Sequence, residues 1–326
     1  FLGSVRATIK PIAGLRISAF GSYQYWNRST GKYLPSNSVA GNGTGGQASK
    51  SNDFNTTRMF EATAQYTNEI KSHAFTILAG YAYQDFVSES FNASNTYFPT
   101  DDFLYNNLGL GEGLNNLTNG GSKDGIGMSS WKEEWKLASV FGRINYNYDQ
   151  RYFVNASIRA EGSSKFGANN RWGYFPAVSA SWLITNEDFM RSQEVVEDLK
   201  LRAGYGVTGN MPGDHYLYAM KVGAGGDYVF SNGEFIQPWG PQSNVNETIR
   251  WEEKHEFNFG FDFGAFANRF SGSLDAYFRN TTDLLYEYDV PMPPYPYGKM
   301  WDNYGIIHNY GVELQLNGTA IQTKDW

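Results

Sequence analysis

Apolar and polar residues alternate along this chain in runs of ten or more, and few structures accept such runs. Leu15, Ile17, Ala19, Gly21, Tyr23 and Tyr25 fall on one side of an extended segment, with Arg16, Ser18, Ser22 and Gln24 on the other. The same division separates Phe75, Ile77, Ala79, Tyr81 and Tyr83 from Thr76, Gly80 and Gln84. It recurs with Tyr152, Val154, Ala156 and Ile158 against Asn155, Ser157, Arg159 and Glu161. Later, Phe257, Phe259, Phe261 and Phe263 alternate with Asn258, Gly260, Asp262 and Gly264. Side chains of a strand point alternately to its two faces, so each run reads as a strand with one apolar and one polar face. Soluble strands are usually about five or six residues long. Ten residues rising ~3.3 Å each and tilted by ~40° climb roughly 25 Å, the height of an outer-membrane barrel's apolar band.

The pattern predicts about eleven strands, near 2–10, 15–26, 54–68, 73–84, 135–148, 152–161, 173–184, 199–208, 251–264, 270–282 and 304–318. Short connections at Pro11–Gly14, Glu69–Ser72, Asp149–Arg151 and Ala265–Arg269 alternate with long ones at Asn27–Asn52, Asp85–Glu134, Gly209–Arg250 and Asp283–Asp302. Thr185–Asp198 is intermediate, and its Asn186-Glu187-Asp188 reads as an N-capped helical turn. An up-and-down barrel requires this alternation, because one rim carries turns and the other loops. A Greek-key sandwich does not. The expected fold is therefore all-β, a transmembrane antiparallel up-and-down β-barrel. Single-chain bacterial barrels use even strand numbers, so an odd count points to part of a larger one. Tyr146, Tyr148 and Tyr152 flank a tight turn and Tyr81 and Tyr83 precede a long loop. Amphipathic rings favour such membrane–water boundaries, although tyrosine is also common in strands generally.

Composition removes most other classes. The 326 residues include no cysteine, which excludes disulfides, thiolate zinc sites, Fe–S clusters and cysteine nucleophiles. The four histidines, His73, His215, His255 and His308, are too scattered to suggest a metal. A net charge of −7 without a long basic block disfavours nucleic acid. No apolar run reaches the ~18 residues of a membrane-spanning helix. Phe1 is not an initiator methionine and no signal-peptide pattern follows it, which suggests a processed or partial chain.

The stretch FGRINYNYDQRYFVNASIRAEGSSKFGANNRWGYFPAVSASWLITNEDF at Phe141–Phe189 resembles the barrel signature of SusC/RagA-like TonB-dependent outer-membrane transporters of Bacteroidota. LKLRAGYGVTGN at Leu199–Asn210, Trp251-Glu252, Asn258–Asp262 and NYGVEL at Asn309–Leu314 continue that pattern in order. The resemblance runs through most of Trp131–Trp326, and earlier residues fit as generic barrel strands. It implies that residues 1–326 are one partial barrel domain, about half of a plugged barrel of some ~22 strands. The family's plug domain, TonB box and final strand are not seen in this sequence. The resemblance further implies a SusD-like surface lipoprotein, the TonB complex reached through the plug region, an oligosaccharide or peptide substrate, and outer-membrane lipid as partners. No cofactor is implied.

Enzymatic signatures are weak. Gly204–Gly209 matches G-x-G-x-x-G, but its glycines lie within a strand and are followed by turn residues, where a nucleotide loop needs a helix. Small residues facing a lumen explain it better. The acidic pairs Asp101-Asp102, Glu133-Glu134 and Glu252-Glu253 are sequence neighbours, which on a strand point to opposite faces. None forms a catalytic carboxylate pair by itself, and no catalytic residue or metal ligand is assigned.

Two groups of binding candidates remain. Arg143, Arg159, Glu161, Lys200, Arg202, Asp262, Asp275 and Arg279 fall on polar faces, where they would line a solute path, contact a plug, or simply hydrate the interior. Plug contact is favoured, because a wide barrel has to be filled. The loop aromatics Phe98, Phe103, Tyr105, Trp239, Tyr295, Tyr297 and Trp301 are substrate candidates, since flat rings stack on sugars or peptide side chains. Packing of the loops themselves is the plainer role. Pro291–Pro296 is expected to be stiff and extended. The resulting expectation is a non-enzymatic outer-membrane importer. Rival readings are a soluble all-β glycan-binding protein or glycoside hydrolase, and a passive porin or adhesin barrel.

Overall fold

The computed structural model describes residues 1–41, 43–113, 126–224 and 238–319, with the backbone of 228–229 and 235–236. Its strands are β1 (Leu2–Ile9), β2 (Leu15–Leu34), β3 (Gln47–Ile70), β4 (His73–Thr96), β5 (Gly127–Tyr148) and β6 (Tyr152–Ser163). Then follow β7 (Trp172–Leu183), β8 (Val196–Asn210), β9 (Val222–Ala224), β10 (Tyr228–Val229), β11 (Phe235–Ile236) and β12 (Trp239–Pro241). The last are β13 (Glu252–Ala265), β14 (Phe270–Thr282), β15 (Leu285–Asp289), β16 (Lys299–Asn303) and β17 (Ile306–Gly318). Eleven of them form one sheet in the order β1 to β8, β13, β14, β17. The antiparallel, sequence-ordered sheet expected from the alternation is what the chain builds. Among the described residues no helix is long and apolar enough to cross a membrane.

Two compact units divide the chain: Phe1–Val5, Gly21–Met59 and Gln84–Trp135 in the first, and Arg6–Phe20, Phe60–Tyr83 and Lys136–Trp326 in the second. In the second unit, the pairing register places like with like across strands. Tyr146, Val154, Ala180, Ala203, Phe259, Ala276 and Val312 form one continuous apolar row. The next row, Tyr148, Tyr152, Trp182, Leu201, Phe261, Leu274 and Leu314, adjoins the tight turns. The opposite face carries Asn145, Asn155, Ser179, Gly204, Asn258, Tyr277 and Gly311 in register. The apolar rows are the exposed side: Val154, Val178, Phe257, Phe259, Leu274 and Phe278 all have a large part of their surface open. In water so broad an apolar face would drive association, whereas lipid is its natural solvent. At the turn-side margin, Tyr148, Tyr152 and Trp182 stack at centroid spacings of 6.3 Å.

The turns on that side fit the right-handed twist of the ladder. Asp149 and Gln150 both take left-handed φ, 52° and 53°, as a tight two-residue hairpin requires. Phe266, Ala267 and Asn268 are left-handed in succession, and the Glu197 carboxylate accepts the Ala267 and Asn268 N–H groups. The expected helical turn near Asn186 exists as two 3-10 turns, Ile184–Asn186 and Asp188–Met190, without a side-chain cap. Glu187 instead accepts Tyr152 Oη (2.6 Å), Trp182 Nε1 (2.9 Å) and Arg151 Nη1 (3.1 Å). Its carboxyl is held below the usual range, first by the Tyr152 hydrogen bond and then by Trp182.

The first unit corrects several strand limits. β2, β3, β4 and β5 run to 20, 24, 24 and 22 residues, so the connections expected at 27–52 and 85–134 shrink to 35–46 and 97–126. Their added segments are rich in Ser, Thr and Asn and lack an apolar side. Alternation marks a strand only where one face meets an apolar medium; elsewhere the ladder needs only a paired neighbour. Polar cross-strand contacts line these extensions. Ser88 Oγ donates to Asn55 (2.5 Å), Ser90 Oγ donates to Asp53 (2.6 Å), and Lys132 meets Glu89 at 2.8 Å.

Two further expectations change in the second unit. Segment 283–302 contains the hairpin β15–β16, with Tyr288 opposite Met300. The proline run is therefore not an extended ridge but the turn of that hairpin, closed by Val290 N–H donating to Gly298 O (2.9 Å). Prolines cannot donate to a ladder, so the chain reverses where they cluster.

Candidate functional site

The polar face of the second unit gathers the charged candidates on neighbouring strands, in distinct clusters. Arg202, from β8, reaches across β13 to β14. Its Nε and Nη2 donate to Asp262 at 2.7 Å each, and Nη1 lies 3.1 Å from Asp275. Gly260 makes this reach feasible, since a Cβ there would collide with both the Arg202 guanidinium and the Asp275 carboxylate. Arg279 Nε meets Glu256 at 3.0 Å, and Lys254 meets the same carboxylate at 3.4 Å. Arg159 Nη2 donates to Glu161 and to Ser139 Oγ, both at 2.8 Å, and its guanidinium lies 5.3 Å from the centre of the Phe141 ring. Lys200 Nζ stands 5.9 Å from the Phe153 ring centre. Arg143 lies on the same face opposite Ser157, without an acidic partner among the described residues.

Gly204 and Gly206 lie in β8 on this face, opposite Ser179 and Ala177. They are strand residues, so the G-x-G-x-x-G match does not form a phosphate loop. Among the described residues no group of three or more His, Asp or Glu side chains has the arrangement of a metal site.

Under the long connections of the second unit is a small core that the alternation did not disclose. Phe166 and Ile249 are fully buried, and Trp251 is 5% exposed. Phe166 and Phe175 approach the Trp251 ring at 5.0 and 5.3 Å, and Trp251 Nε1 donates to Arg171 O at 2.9 Å. A Cβ on Gly173 or Gly209 would enter the Phe175 ring. Lys165 Nζ donates to the carbonyls of Pro212 and Gly213, both at 2.8 Å. Phe166 and Trp251 both stand in the recognised motifs, but no periodicity connects residues so far apart in sequence. That is why packing among them was illegible.

The loop aromatics of the second unit divide between this core and solvent. Trp301, on β16, packs against the buried cluster. Its carbonyl accepts Asn246 Nδ2 at 2.9 Å, while Asn244 Nδ2 donates to Tyr297 O (2.6 Å) and Lys299 O (2.8 Å). Two asparagines thus fasten the hairpin to segment 244–246. Tyr295 is exposed at the hairpin turn, and Trp239, on β12, is 71% exposed. In the first unit, Phe103 is exposed and Tyr105 lies against Gly31, where a Cβ would enter its ring. Phe98 is buried edge-on to Tyr33, with centroids 6.0 Å apart. Tyr33 Oη donates to Asp101, whose other oxygen accepts Ser36 Oγ at 3.1 Å. The Tyr33 and Ser36 hydrogen bonds hold the Asp101 carboxyl below its ordinary range. Burial, with Asp101 beside it, pushes the Tyr33 phenol up to about 12.

An antiparallel sheet with unbroken exposed apolar rows on one face and paired charges on the other is the wall of a transmembrane β-barrel. The chain belongs to the TonB dependent receptor-like, beta-barrel family, whose model matches residues 8–326. It is an outer-membrane protein. Among curated proteins it is similar to the TonB-dependent receptor SusC of Bacteroides thetaiotaomicron, 37% identical over 58% of this chain and 19% of that receptor. The TonB-dependent receptor P3 of Formosa agariphila is 29% identical over 97% of this chain and 30% of its own length. Among solved structures, the RagAB peptide transporter matches with a TM-score of 0.86 at 28% identity, covering 100% of this chain and 34% of that one. The chain thus spans about a third or less of the relatives it resembles.

Proposed function

We propose that this chain is part of the barrel wall of a TonB-dependent importer that carries oligosaccharides or peptides across the outer membrane. The observation that carries the reading is the in-register separation of apolar and polar rows across β5–β8, β13, β14 and β17, in a chain of this receptor family. Similarity to SusC and to a peptide transporter supports the two substrate classes. Residues 1–326 form one partial barrel domain of about half of some ~22 strands. The remainder of the receptor supplies a plug and the coupling to TonB, and a SusD-like lipoprotein covers the loops. The charged polar face, including Arg143, Arg159, Glu161, Lys200, Arg202, Asp275 and Arg279, contacts the plug or the passing solute. Trp239, Tyr295 and Phe103 are the accessible aromatic contacts, whereas Trp301, Tyr297 and Tyr105 act through the loop packing that holds them. The receptor binds, gates and passes its solute and performs no covalent chemistry.

The test is uptake of labelled neutral oligosaccharides and peptides by cells expressing the full-length receptor, with and without TonB. Import that requires TonB supports the proposal. Import indifferent to TonB identifies a passive pore, and release of reducing sugar by the purified receptor identifies a hydrolase. Copurification of a surface lipoprotein is expected, and its consistent absence counts against the covered-loop arrangement.

A further inference from the structure

The charges on the polar face of the second unit are unevenly compensated. Arg202 has Asp262 and Asp275, Arg279 has Glu256, and Arg159 has Glu161. A cavity of about 540 Å³ on the same face is lined by Arg6, Arg16, Arg143 and Arg159 together with a single carboxylate, Glu61. Setting Arg159 against Glu161 leaves three guanidinium groups facing Glu61. None of Arg6, Arg16 and Arg143 has an acidic partner among the described residues, and all three are exposed. Arg6 is steered by packing, its guanidinium lying 4.9 Å from the centre of the Phe20 ring. The Thr8–Ser18 hydroxyl contact at 3.0 Å fixes β1 against β2, so Arg6 and Arg16 project from neighbouring strands on one face. Phe141 contributes an apolar surface beneath the Arg159 guanidinium.

Guanidinium presents a planar fork of N–H donors that matches a carboxylate in two parallel hydrogen bonds. Three forks around one cavity, without an acidic partner among the described residues, form an anion-selective surface, and the volume falls within the range of small-ligand sites. We propose that Arg6, Arg16 and Arg143 form a subsite for carboxylate-bearing solute, selecting acidic over neutral members of the imported class. Glu61 limits its affinity and favours release, because a single opposing charge weakens but does not cancel the attraction. The carboxylate comes from an acidic peptide side chain or from a uronic acid of an oligosaccharide, two sources with the same chemistry. This inference rests on the import reading proposed above.

The experiment uses the purified full-length receptor in detergent, with an acidic tripeptide, a uronate-containing disaccharide and the neutral counterpart of each as probes. Binding is measured by calorimetry at low and high salt. Acidic probes are expected to bind more tightly than neutral ones and to lose affinity as salt rises. Each of Arg16→Ala and Arg143→Ala should weaken acidic binding by about tenfold or more, and acidic binding more than neutral binding. Arg143→Lys should fall between, since it keeps the charge and loses the fork. Glu61→Gln should tighten acidic binding several-fold, a gain that misfolding cannot imitate. The peptide and sugar arms tell which source the subsite takes. Equal binding of acidic and neutral probes, absence of binding by all four, or indifference to Glu61→Gln overturns the subsite. TonB-dependent uptake of neutral solute in parallel separates that outcome from failure of the import reading, which fails if no solute is carried, if uptake does not need TonB, or if the receptor releases reducing sugar.

Discussion

β3 passes from one compact unit to the other between Met59 and Phe60, and its chemistry changes there. From Phe60 onward, Phe60, Ala62, Ala64 and Tyr66 alternate with Glu61, Thr63 and Gln65. Before it, Gln47–Thr57 contains Phe54 as its one large apolar residue. β4 repeats the change at Tyr83 and Gln84. Both halves of each strand are paired in the same sheet, yet only one half is amphipathic. Backbone pairing is indifferent to the medium, while side-chain alternation reports where an apolar solvent touches one face. The first unit is held by polar cross-strand contacts, and the second by apolar rows, ion pairs and a small loop core.

That contrast breaks most readily at the loop core. Trp251→Ala should cost about 3–5 kcal/mol, because it empties a buried site and strands the Arg171 carbonyl. Guanidinium unfolding of the full-length receptor measures the loss, and hydrogen exchange should rise in 162–171 and 244–250. A cost below about 1 kcal/mol would show that the loops are held by other contacts. Next in size, Phe259→Arg or Ala156→Arg should destabilise by about 2–4 kcal/mol near the bilayer midplane. Insertion of either variant into vesicles with unchanged stability would remove that face from lipid. Arg202→Ala should cost about 1–2 kcal/mol, allowing for its partial exposure, since Asp262 and Asp275 then face each other uncompensated. Restoration by Asp275→Asn in that background would confirm repulsion as the cause.

The smallest effect belongs to the first unit. The Asp101 carboxyl is held below its ordinary value, so its contribution is complete above the unfolded carboxylate range. It is lost as pH falls through the lowered folded value. Limited proteolysis between 97 and 113 should therefore accelerate on acidification below that range and stay flat above it. Asp101→Asn should be fast at all pH values. A wild-type rate that does not change with acid would dissociate this loop from the carboxylate.

Much of the fold was legible because its signal is local. β6, β7, β13 and β14 lie within a few residues of their expected limits, and the facing of Arg159, Arg202 and Asp275 followed from parity alone. The outer halves of β2 to β5 were hidden, since a strand with two polar faces resembles a loop in sequence. Trp251 was visible only as part of a motif, and its contact with Phe166 joins residues 85 positions apart by number. The hairpin at Leu285–Asn303 was obscured by its prolines.

The sequence by itself determined that long strands would separate an apolar from a polar face, because alternation in a pleated backbone admits no other outcome. Which charges on the polar face are neutralised was decided by tertiary structure. Arg202 and Arg143 are alike in parity and chemistry, yet register sets two aspartates beside one and, among the described residues, none beside the other. Electrostatic pairing depends on neighbours brought together across strands, and those neighbours are specified only when the sheet is assembled.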